Sequence, residues 1–215
     1  MSSIRLTTAV THSFFASNIL FAPDSNKCVA LLTLNLSAAF DTVDHEILLE
    51  RTSSKFGIKD KVFAWFKLYL SDRTQFVNNN GAKSDVHSAS CGAPQGSVLS
   101  SILNLLCMSP LGDILRIYNI SFHFYADDSE LYTTFSNSIE VHQDKTIRQI
   151  ETSIVDIENW MTLNKQLKLN SDKTELVIFY PKHCQLLKPL AVSVGSEIIK
   201  RGNSIKTLVL LLTCV

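Results

Sequence analysis

The sequence has no excess of charge of either sign, because 20 Lys and Arg residues balance 20 Asp and Glu residues among its 215 residues. Proteins that hold a nucleic-acid duplex usually carry a basic excess, since neutralising phosphates supplies much of their affinity. This absence argues against a chain that grips a polynucleotide by itself. Hydrophobic residues make up 46% of the chain, so a packed core is expected and disorder is not.

Disulfide and metal-ligand spacings are also missing. The five cysteines are an odd number and form no C-x-x-C pair, and the six histidines are scattered along the chain. This pattern favours reduced, mostly buried thiols in an intracellular protein and makes a zinc site improbable.

Long hydrophobic runs are absent at both ends of the sequence. Residues 1–23 are interrupted by Thr, His, Ser and Asn and lack the continuous apolar segment of a signal peptide. The apolar run 207–215 has nine residues, whereas a bilayer span needs about 20. We therefore expect an intracellular protein, cytoplasmic or nuclear, with no membrane partner.

Two kinds of apolar pattern fill the first third of the chain. The run over residues 28–36 predicts a strand that is buried on both faces. Helical spacing follows over residues 43–56 and again over residues 60–70. Gly57 is placed to end the first helix, and Asp60 to cap the second.

The middle of the chain combines a hairpin signal with a helix. Asn80-Gly81 lies between short β-prone pieces, which is typical of a tight hairpin turn. Apolar spacing predicts a helix over residues 98–108. Ser109 and Pro110 then predict the start of a second, short helix, with serine as the cap and proline at the first helical position.

The remaining segments complete an α+β pattern. Residues 120–135 alternate as a hairpin would, with Asp127 and Asp128 at or near its turn. Residues 138–163 have helical spacing, and strand-like segments follow. This order predicts an α+β domain, an antiparallel sheet backed by helices.

The adjacent acids Asp127 and Asp128 are the strongest chemical signal. Neighbouring carboxylates repel each other and are stabilised when a cation, often a divalent metal, neutralises them. Two-metal phosphoryl transfer uses such ligands and also needs a carboxylate from another strand to bridge the ions. An Asp-Asp pair taken alone is equally typical of a solvated turn.

Four motifs occur in one order between about Cys28 and Ile178: LNLSAAFDTVDHEILL, GAPQGSVLSSIL, FYADDSELY and WMTLNKQLKLNSDKTELVIF. Together they resemble the reverse transcriptases of non-LTR (LINE-type) retrotransposons. The resemblance implies a polymerase palm-like antiparallel sheet backed by helices. It also implies RNA-directed DNA synthesis with two Mg²⁺ ions, acting on an RNA template, a DNA primer and a dNTP, with possible dependence on other element-encoded domains.

The resemblance also assigns roles to individual residues. It makes Asp127 and Asp128 the metal ligands, places Lys173 near the departing pyrophosphate, and sets Phe40, Gln95, Gly96 and Tyr125 around the nucleotide. Plainer readings stay open: Phe40 as a core aromatic, the Gln95-Gly96 loop as an ordinary turn before a helix, and Lys173 as a solvated turn residue.

The first motif departs from the family pattern at one position. The family writes L-D-L-S-x-A-F-D, and this chain has Asn35 where the bridging aspartate is expected. Asparagine keeps one carbonyl oxygen and loses the charge, so metal binding should weaken. Losing one preorganised electrostatic contact costs roughly 10²–10³ in rate elsewhere. Asp41 is six positions further along the chain and is not expected to replace it.

These patterns divide the chain into a remnant of the fingers (1–27), a palm-like domain (28–180) and a degenerate palm end (181–215). On this reading the fingers are truncated, the thumb is absent and catalysis is crippled. Three functions stay open: an active polymerase, a non-catalytic module that binds nucleic acid or protein, and a translated relic with no function.

Overall fold

A computed structural model describes residues 17, 19, 21–37, 41–93, 98–125, 128–136, 140–164, 168–181, 189–200 and 202. In these ranges the α-helices are α1 (His45–Ser54), α2 (Asp60–Leu70), α3 (Val98–Ile117) and α4 (Glu140–Leu163). The longer strands are β1 (Cys28–Ser37), β6 (Ser121–Tyr125), β7 (Asp128–Phe135), β9 (Glu175–Phe179), β10 (Ala191–Val194) and β11 (Glu197–Lys200). Two-residue strands are β2 (Thr74–Gln75), β3 (Asn78–Asn79), β4 (Ala82–Lys83), β5 (His87–Ser88) and β8 (Lys168–Leu169).

Strand β1 is the centre of a five-stranded antiparallel sheet. On one side it pairs with β7, which pairs in turn with β6; on the other side it pairs with β9 and, near its end, with β8. The apolar run predicted as a buried strand is therefore confirmed. It is largely apolar because its alternate residues pack into apolar clusters on the two faces of the sheet.

One face of the sheet packs on α3 and α4. Ala30, Leu32 and Leu34 point to this side, and all three are buried. The helices contribute apolar residues at intervals of three and four, which places them on one face of each helix: Met108, Leu111, Leu115, Ile150, Ile154, Ile157 and Met161.

The opposite face of the sheet changes character along β1. At the start of the strand, Val29 and Leu31 pack with Tyr132, Ile19 and Ala22 in a small apolar cluster. Further along, the positions on this face become polar, at Thr33 and then Asn35. The change follows from the two-residue period of a strand, and it places polar residues at the end of β1.

A third cluster joins α1, α2 and the first half of α3. Its buried members include Leu48, Phe66 and Leu103. Asp44 is the N-cap of helix α1, and its Oδ1 accepts hydrogen bonds from the backbone N–H groups of Glu46 at 2.8 Å and Ile47 at 3.0 Å. This is an N-cap of the usual type. Residues 59–89, which contain α2 and strands β2–β5, are called the α2–hairpin lobe below.

The predicted hairpin turn is confirmed in this lobe. Strands β3 and β4 pair on either side of Asn80 and Gly81, whose φ angles are 50° and 90°. Two-residue hairpin loops favour positive φ at both positions, which Asn and Gly adopt at little cost.

Two helix-boundary predictions were wrong. Helix α3 runs through Pro110 without a break. Proline has no N–H to donate to the carbonyl of Leu106, but the hydroxyl of Ser109 donates to that oxygen at 2.9 Å, which restores the missing hydrogen bond. Asp60 does not cap α2: it is the first residue of the helix, with φ 53°, and Lys59 occupies the N-cap position.

Candidate active site

Strand pairing brings the two predicted halves of the site together. Asn35 on β1 lies directly opposite Asp128 on β7, and Asp128 lies opposite Tyr125 on β6. Cross-strand partners share a face of the sheet, with Cβ atoms about 4.5–5.5 Å apart. The three positions therefore form one row at the end of the sheet, and it is on the side away from α3 and α4.

Strands β6 and β7 pair with each other as an antiparallel hairpin. Tyr125 and Asp128 are cross-strand partners, so the two strands pair up to the residues on either side of Ala126 and Asp127. The predicted hairpin is confirmed. Asp127 lies outside the described residues, so its predicted role as a metal ligand stays a prediction.

Lys173 belongs to a turn that is attached to the end of β1. The turn, Ser171–Lys173, follows Asn170, whose N–H donates to the backbone carbonyl of Asn35 at 2.9 Å. The N–H of Lys173 and the hydroxyl of Thr174 both donate back to the Asn170 carbonyl, at 3.2 and 2.8 Å. Lys173 is exposed, and its turn is joined through Asn170 to the backbone of Asn35.

The other predicted nucleotide-binding residues, Phe40, Gln95 and Gly96, lie outside the described residues, and the side chain of Tyr125 is not described. The chain segments beside Phe40 and Gln95 nevertheless meet. The N–H of Gly92 donates to the carbonyl of Val43 at 2.8 Å. A Cβ at Gly92, whose φ is 94°, would stand 3.3 Å from the backbone oxygen of Asp41.

Sequence reasoning missed a second polar row directly behind the first. Glu130 lies opposite both Thr33 on β1 and His123 on β6. The side chains of His123 and Glu130 are only 12% and 9% exposed, and His123 Nδ1 is 4.0 Å from Glu130 Oε2. The alternation of Phe122, His123 and Phe124 was the signal, since it puts the histidine on the face opposite the two aromatics.

The described side chains do not by themselves make a metal centre. Among them, no group of three His, Cys, Asp or Glu side chains is placed to hold an ion. Asp127 and the side chain of Asp128 are outside that search. Within the described ranges, no helix combines the length and apolarity needed to cross a membrane.

The family of the protein follows from comparison with known sequences. The family model described as reverse transcriptase (RNA-dependent DNA polymerase) matches residues 4–201. The chain belongs to the reverse transcriptase family. A relative, the RNA-directed DNA polymerase from mobile element jockey of Drosophila melanogaster, is 27% identical over 151 residues. The predicted resemblance to reverse transcriptases of LINE-type retrotransposons is confirmed.

Solved structures agree on the fold. Apo telomerase from Candida tropicalis, truncated from its C-terminal domain, superposes with a TM-score of 0.57 at 15% identity over 90% of this chain. Telomerase from the same organism in complex with an RNA fragment gives a TM-score of 0.58 at 13% identity over 97% of this chain. These likenesses confirm the predicted palm-like α+β architecture.

This chain corresponds to only part of each relative. The matched region is 68% of this chain and 16% of the jockey polymerase, and the superposed regions are 39% and 36% of the two telomerase chains. The activity and partners of those longer proteins therefore enter below as proposals.

Proposed function

We propose that this reverse-transcriptase domain is built for RNA-directed DNA synthesis, and that Asn35 cripples the reaction by replacing the shared metal ligand. The pairing of Asn35 with Asp128 carries the proposal. It supports the proposal because Asn35 is the cross-strand partner of one of the two hairpin aspartates.

The donor set suits one magnesium ion better than two. Mg²⁺ prefers oxygen ligands and is commonly held by one or two carboxylates together with substrate phosphates. Asp127, Asp128 and the amide oxygen of Asn35 would supply such oxygens. Asn35 is half-buried, and within the described part of the chain its side-chain amide has no hydrogen-bond partner. The ion would stabilise negative charge on the transferring phosphoryl group.

Neutral Asn35 lowers the charge available to hold a second ion. A bridging carboxylate places negative charge between two dications, and an amide oxygen supplies only a dipole. The amide N–H₂ is a donor, so one of its two orientations repels a cation. We expect the preorganised electrostatic stabilisation of the transition state to fall by at least the roughly 10²–10³ in rate that one lost contact costs.

The substrates are proposed from the family and its neighbours. Telomerase from Candida albicans was solved in complex with a fragment of telomeric RNA, at a TM-score of 0.52 and 13% identity. For this chain we propose an RNA template, a DNA primer and a dNTP, with Phe40, Gln95, Gly96 and Tyr125 around the nucleotide and Lys173 near the pyrophosphate. Other element-encoded domains would complete the assembly, inside the cell.

A primer-extension assay with Mg²⁺ on the purified chain, beside Asn35→Asp, tests the proposal. We expect no measurable extension by the native chain and extension by Asn35→Asp that is abolished when Asp127→Ala is added. Asn119→Asp is the matched control, because it adds the same charge at an exposed turn beyond α3.

Metal binding gives a second readout that does not need a complete polymerase. Asn35→Asp should bind Mn²⁺, a paramagnetic substitute for Mg²⁺, more tightly than the native chain by roughly tenfold or more, whereas Asn119→Asp should not. Extension by the native chain would contradict the crippling. Equal Mn²⁺ affinity of the native chain and Asn35→Asp would show that Asn35 is not at a metal site.

A non-catalytic module that binds nucleic acid is the second candidate. It is favoured by Asn35 itself, which removes a ligand needed for chemistry while leaving the fold intact. Such a module would need a binding surface that does not depend on metal.

A further inference from the structure

A row of four side chains runs along α2 and beyond its end. Lys61, Trp65, Tyr69 and Arg73 follow one another at intervals of four residues. Positions four apart are neighbours on one side of a helix. Trp65 is 50% exposed, so half of its surface is available to solvent. We call these four residues the aromatic row.

The planar groups of the aromatic row are stacked. The rings of Trp65 and Tyr69 have centroids 5.5 Å apart and planes inclined by 20°. The guanidinium carbon of Arg73 lies 4.4 Å from the centroid of the Tyr69 ring. The Nε of Arg73 donates to the backbone oxygen of Tyr69 at 2.6 Å, which fixes the guanidinium over the ring. The arrangement is a preformed platform for another flat group.

Arg73 also lines a cavity. The cavity has a volume of about 500 Å³ and is lined by Arg73, Tyr69, His45, Asp41 and Gly92, among others. Its wall is held by His45, whose Nε2 lies 2.8 Å from the Gly92 carbonyl oxygen. Within the described residues, the Nη groups of Arg73 have no protein acceptor. An unpaired guanidinium fork matches the oxygens of a phosphate.

The position of the cavity links it to the candidate active site. Two of its wall residues, Asp41 and Ala93, come directly after Phe40 and directly before the Pro94-Gln95 loop in the chain. A strand that lay along the aromatic row would therefore lead toward the predicted nucleotide-binding residues.

The chain as a whole has no net charge, but the α2–hairpin lobe carries more cationic than acidic residues. The α2–hairpin lobe has five cationic residues and three acidic ones: Lys59, Lys61, Lys67, Arg73 and Lys83 against Asp60, Asp72 and Asp85. No salt bridge within the described ranges joins Lys61 or Arg73 to a carboxylate. The positive charge of the row is therefore available to a ligand.

We propose that the aromatic row and its cavity bind single-stranded nucleic acid, with an unpaired base stacked on Trp65 and a backbone phosphate held by Arg73. Aromatic rings stack on any base, and cations beside them hold the backbone. Only the role of this strand, as the template, rests on the proposed polymerase function. The binding itself uses neither metal nor Asn35.

An apolar protein surface is a less suitable occupant. Val62 and Leu68 flank the row and are 57% and 76% exposed, so they would add contact area for a protein. Such a partner would also cover Lys61 and Arg73 without supplying counter-charges, and burying an unpaired charge is strongly unfavourable. A nucleic-acid strand offers flat apolar bases and phosphates together.

The test measures binding of a labelled single-stranded oligouridylate to the purified chain by fluorescence anisotropy, with EDTA present to remove divalent metals. The chain has two tryptophans, and binding should quench the fluorescence of Trp65. Trp65→Leu should weaken binding about tenfold or more, because one stacked base is lost. Arg73→Gln should weaken it similarly and lower the salt-dependence slope by about one phosphate.

Matched controls separate the platform from general charge and folding effects. Lys200→Gln removes one positive charge on the exposed strand β11, and Trp160→Phe changes the other tryptophan, which packs beneath Arg51. Neither should change the affinity more than about twofold. Thermal unfolding of each variant confirms that it is folded.

Three outcomes would overturn the proposal. The first is failure of the native chain to bind the oligonucleotide, and the second is binding by Trp65→Leu and Arg73→Gln as tight as that of the native chain. The third is concentration-dependent self-association that Trp65→Leu abolishes, which would assign the row to protein contact. None of these outcomes depends on whether Asn35→Asp extends a primer. The binding proposal can therefore be overturned while the polymerase proposal stands, and the reverse is also true.

Discussion

Leu31 and Leu32 on β1 are 1% and 0% exposed, whereas Leu68 on α2 is 76% exposed. The contrast holds for the two regions as wholes. Most apolar side chains of the sheet and its two backing helices are buried, although Ile117, Val155 and Leu163 on those helices are exposed. Large apolar side chains just after α1 and in the α2–hairpin lobe are exposed in a greater share: Phe56, Val62, Trp65, Leu68, Phe76, Val77 and Val86. Burial of apolar surface is the main stabilising term in folding, so we infer that the sheet supplies stability and the lobe supplies a surface for binding.

The largest expected difference between the two regions comes from shortening one leucine in each. Leu32→Ala leaves a cavity between the sheet and its helices and should lower the free energy of unfolding by about 2–5 kcal/mol. Leu68→Ala should change it by less than about 0.5 kcal/mol, because the side chain is already in solvent. Urea unfolding of both variants measures this, and equal losses would contradict the inferred division.

An intermediate effect is expected where α1 contacts the two helices that back the sheet. Arg51 on α1 donates to the carbonyl of Cys107 on α3 at 2.5 Å and to the side-chain oxygen of Asn164 after α4, and lies 5.1 Å from the Trp160 ring centroid. Arg51→Met removes charge-assisted hydrogen bonds and should cost about 2 kcal/mol in urea unfolding.

The matched control for that contact is Arg116→Met. Arg116 lies on the exposed surface of α3, where it pairs with Asp113, and exposed pairs contribute about 1 kcal/mol or less. A loss at Arg51 no larger than that at Arg116 would show that the packing of α1 on α3 and α4 does not depend on Arg51.

The smallest effect that we expect is a loss of stability at alkaline pH, caused by Tyr118 just after the end of α3. The hydroxyl of Tyr118 donates to Asp156 Oδ2 at 2.5 Å, and this hydrogen bond raises the pKa of Tyr118 above its ordinary value. Because the folded pKa is the higher one, the stabilisation is complete below the unfolded value of about 10 and is lost as pH rises through the raised pKa.

Tyr118→Phe isolates this contribution. The native chain should exceed the variant in unfolding free energy by about 1 kcal/mol or less at neutral pH, since the pair is screened by solvent. The difference should shrink above about pH 10. A difference that grew with pH would contradict the assigned direction of the pKa.

Sequence patterns predicted an element correctly where the residues of that element alone determine its structure. The apolar run of β1, the Asn80-Gly81 turn and the helical spacing that ends at Met161 each contain their own signal. Prediction was wrong where a neighbouring side chain intervened. The Ser109 hydroxyl lets α3 continue through Pro110, and no periodicity in the sequence shows that hydrogen bond.

The sequence predicted which residues belong to the candidate site, but it predicted only part of their arrangement in space. The motifs indicated Asn35, Asp127 and Asp128, and the pairing of Asn35 with Asp128 joins the two motifs. The buried pair His123 and Glu130, two residues further into the sheet, was missed because each residue lies in an alternating strand where polar positions are expected. The stacking of Trp65 on Tyr69 was also missed, since spacing alone does not say which face of α2 is covered.

The sequence by itself determined the family, the order of the elements and the asparagine that stands where a shared carboxylate is expected. The tertiary structure decided that Asn35 pairs with Asp128 across the sheet, that the turn containing Lys173 is attached to the end of β1, and that Trp65 is half exposed to solvent. The physical reason is that strand register and burial depend on partners distant in the chain, as Asn35 and Asp128 are. Side-chain periodicity specifies which face of a strand is apolar, and packing with distant partners then selects the register.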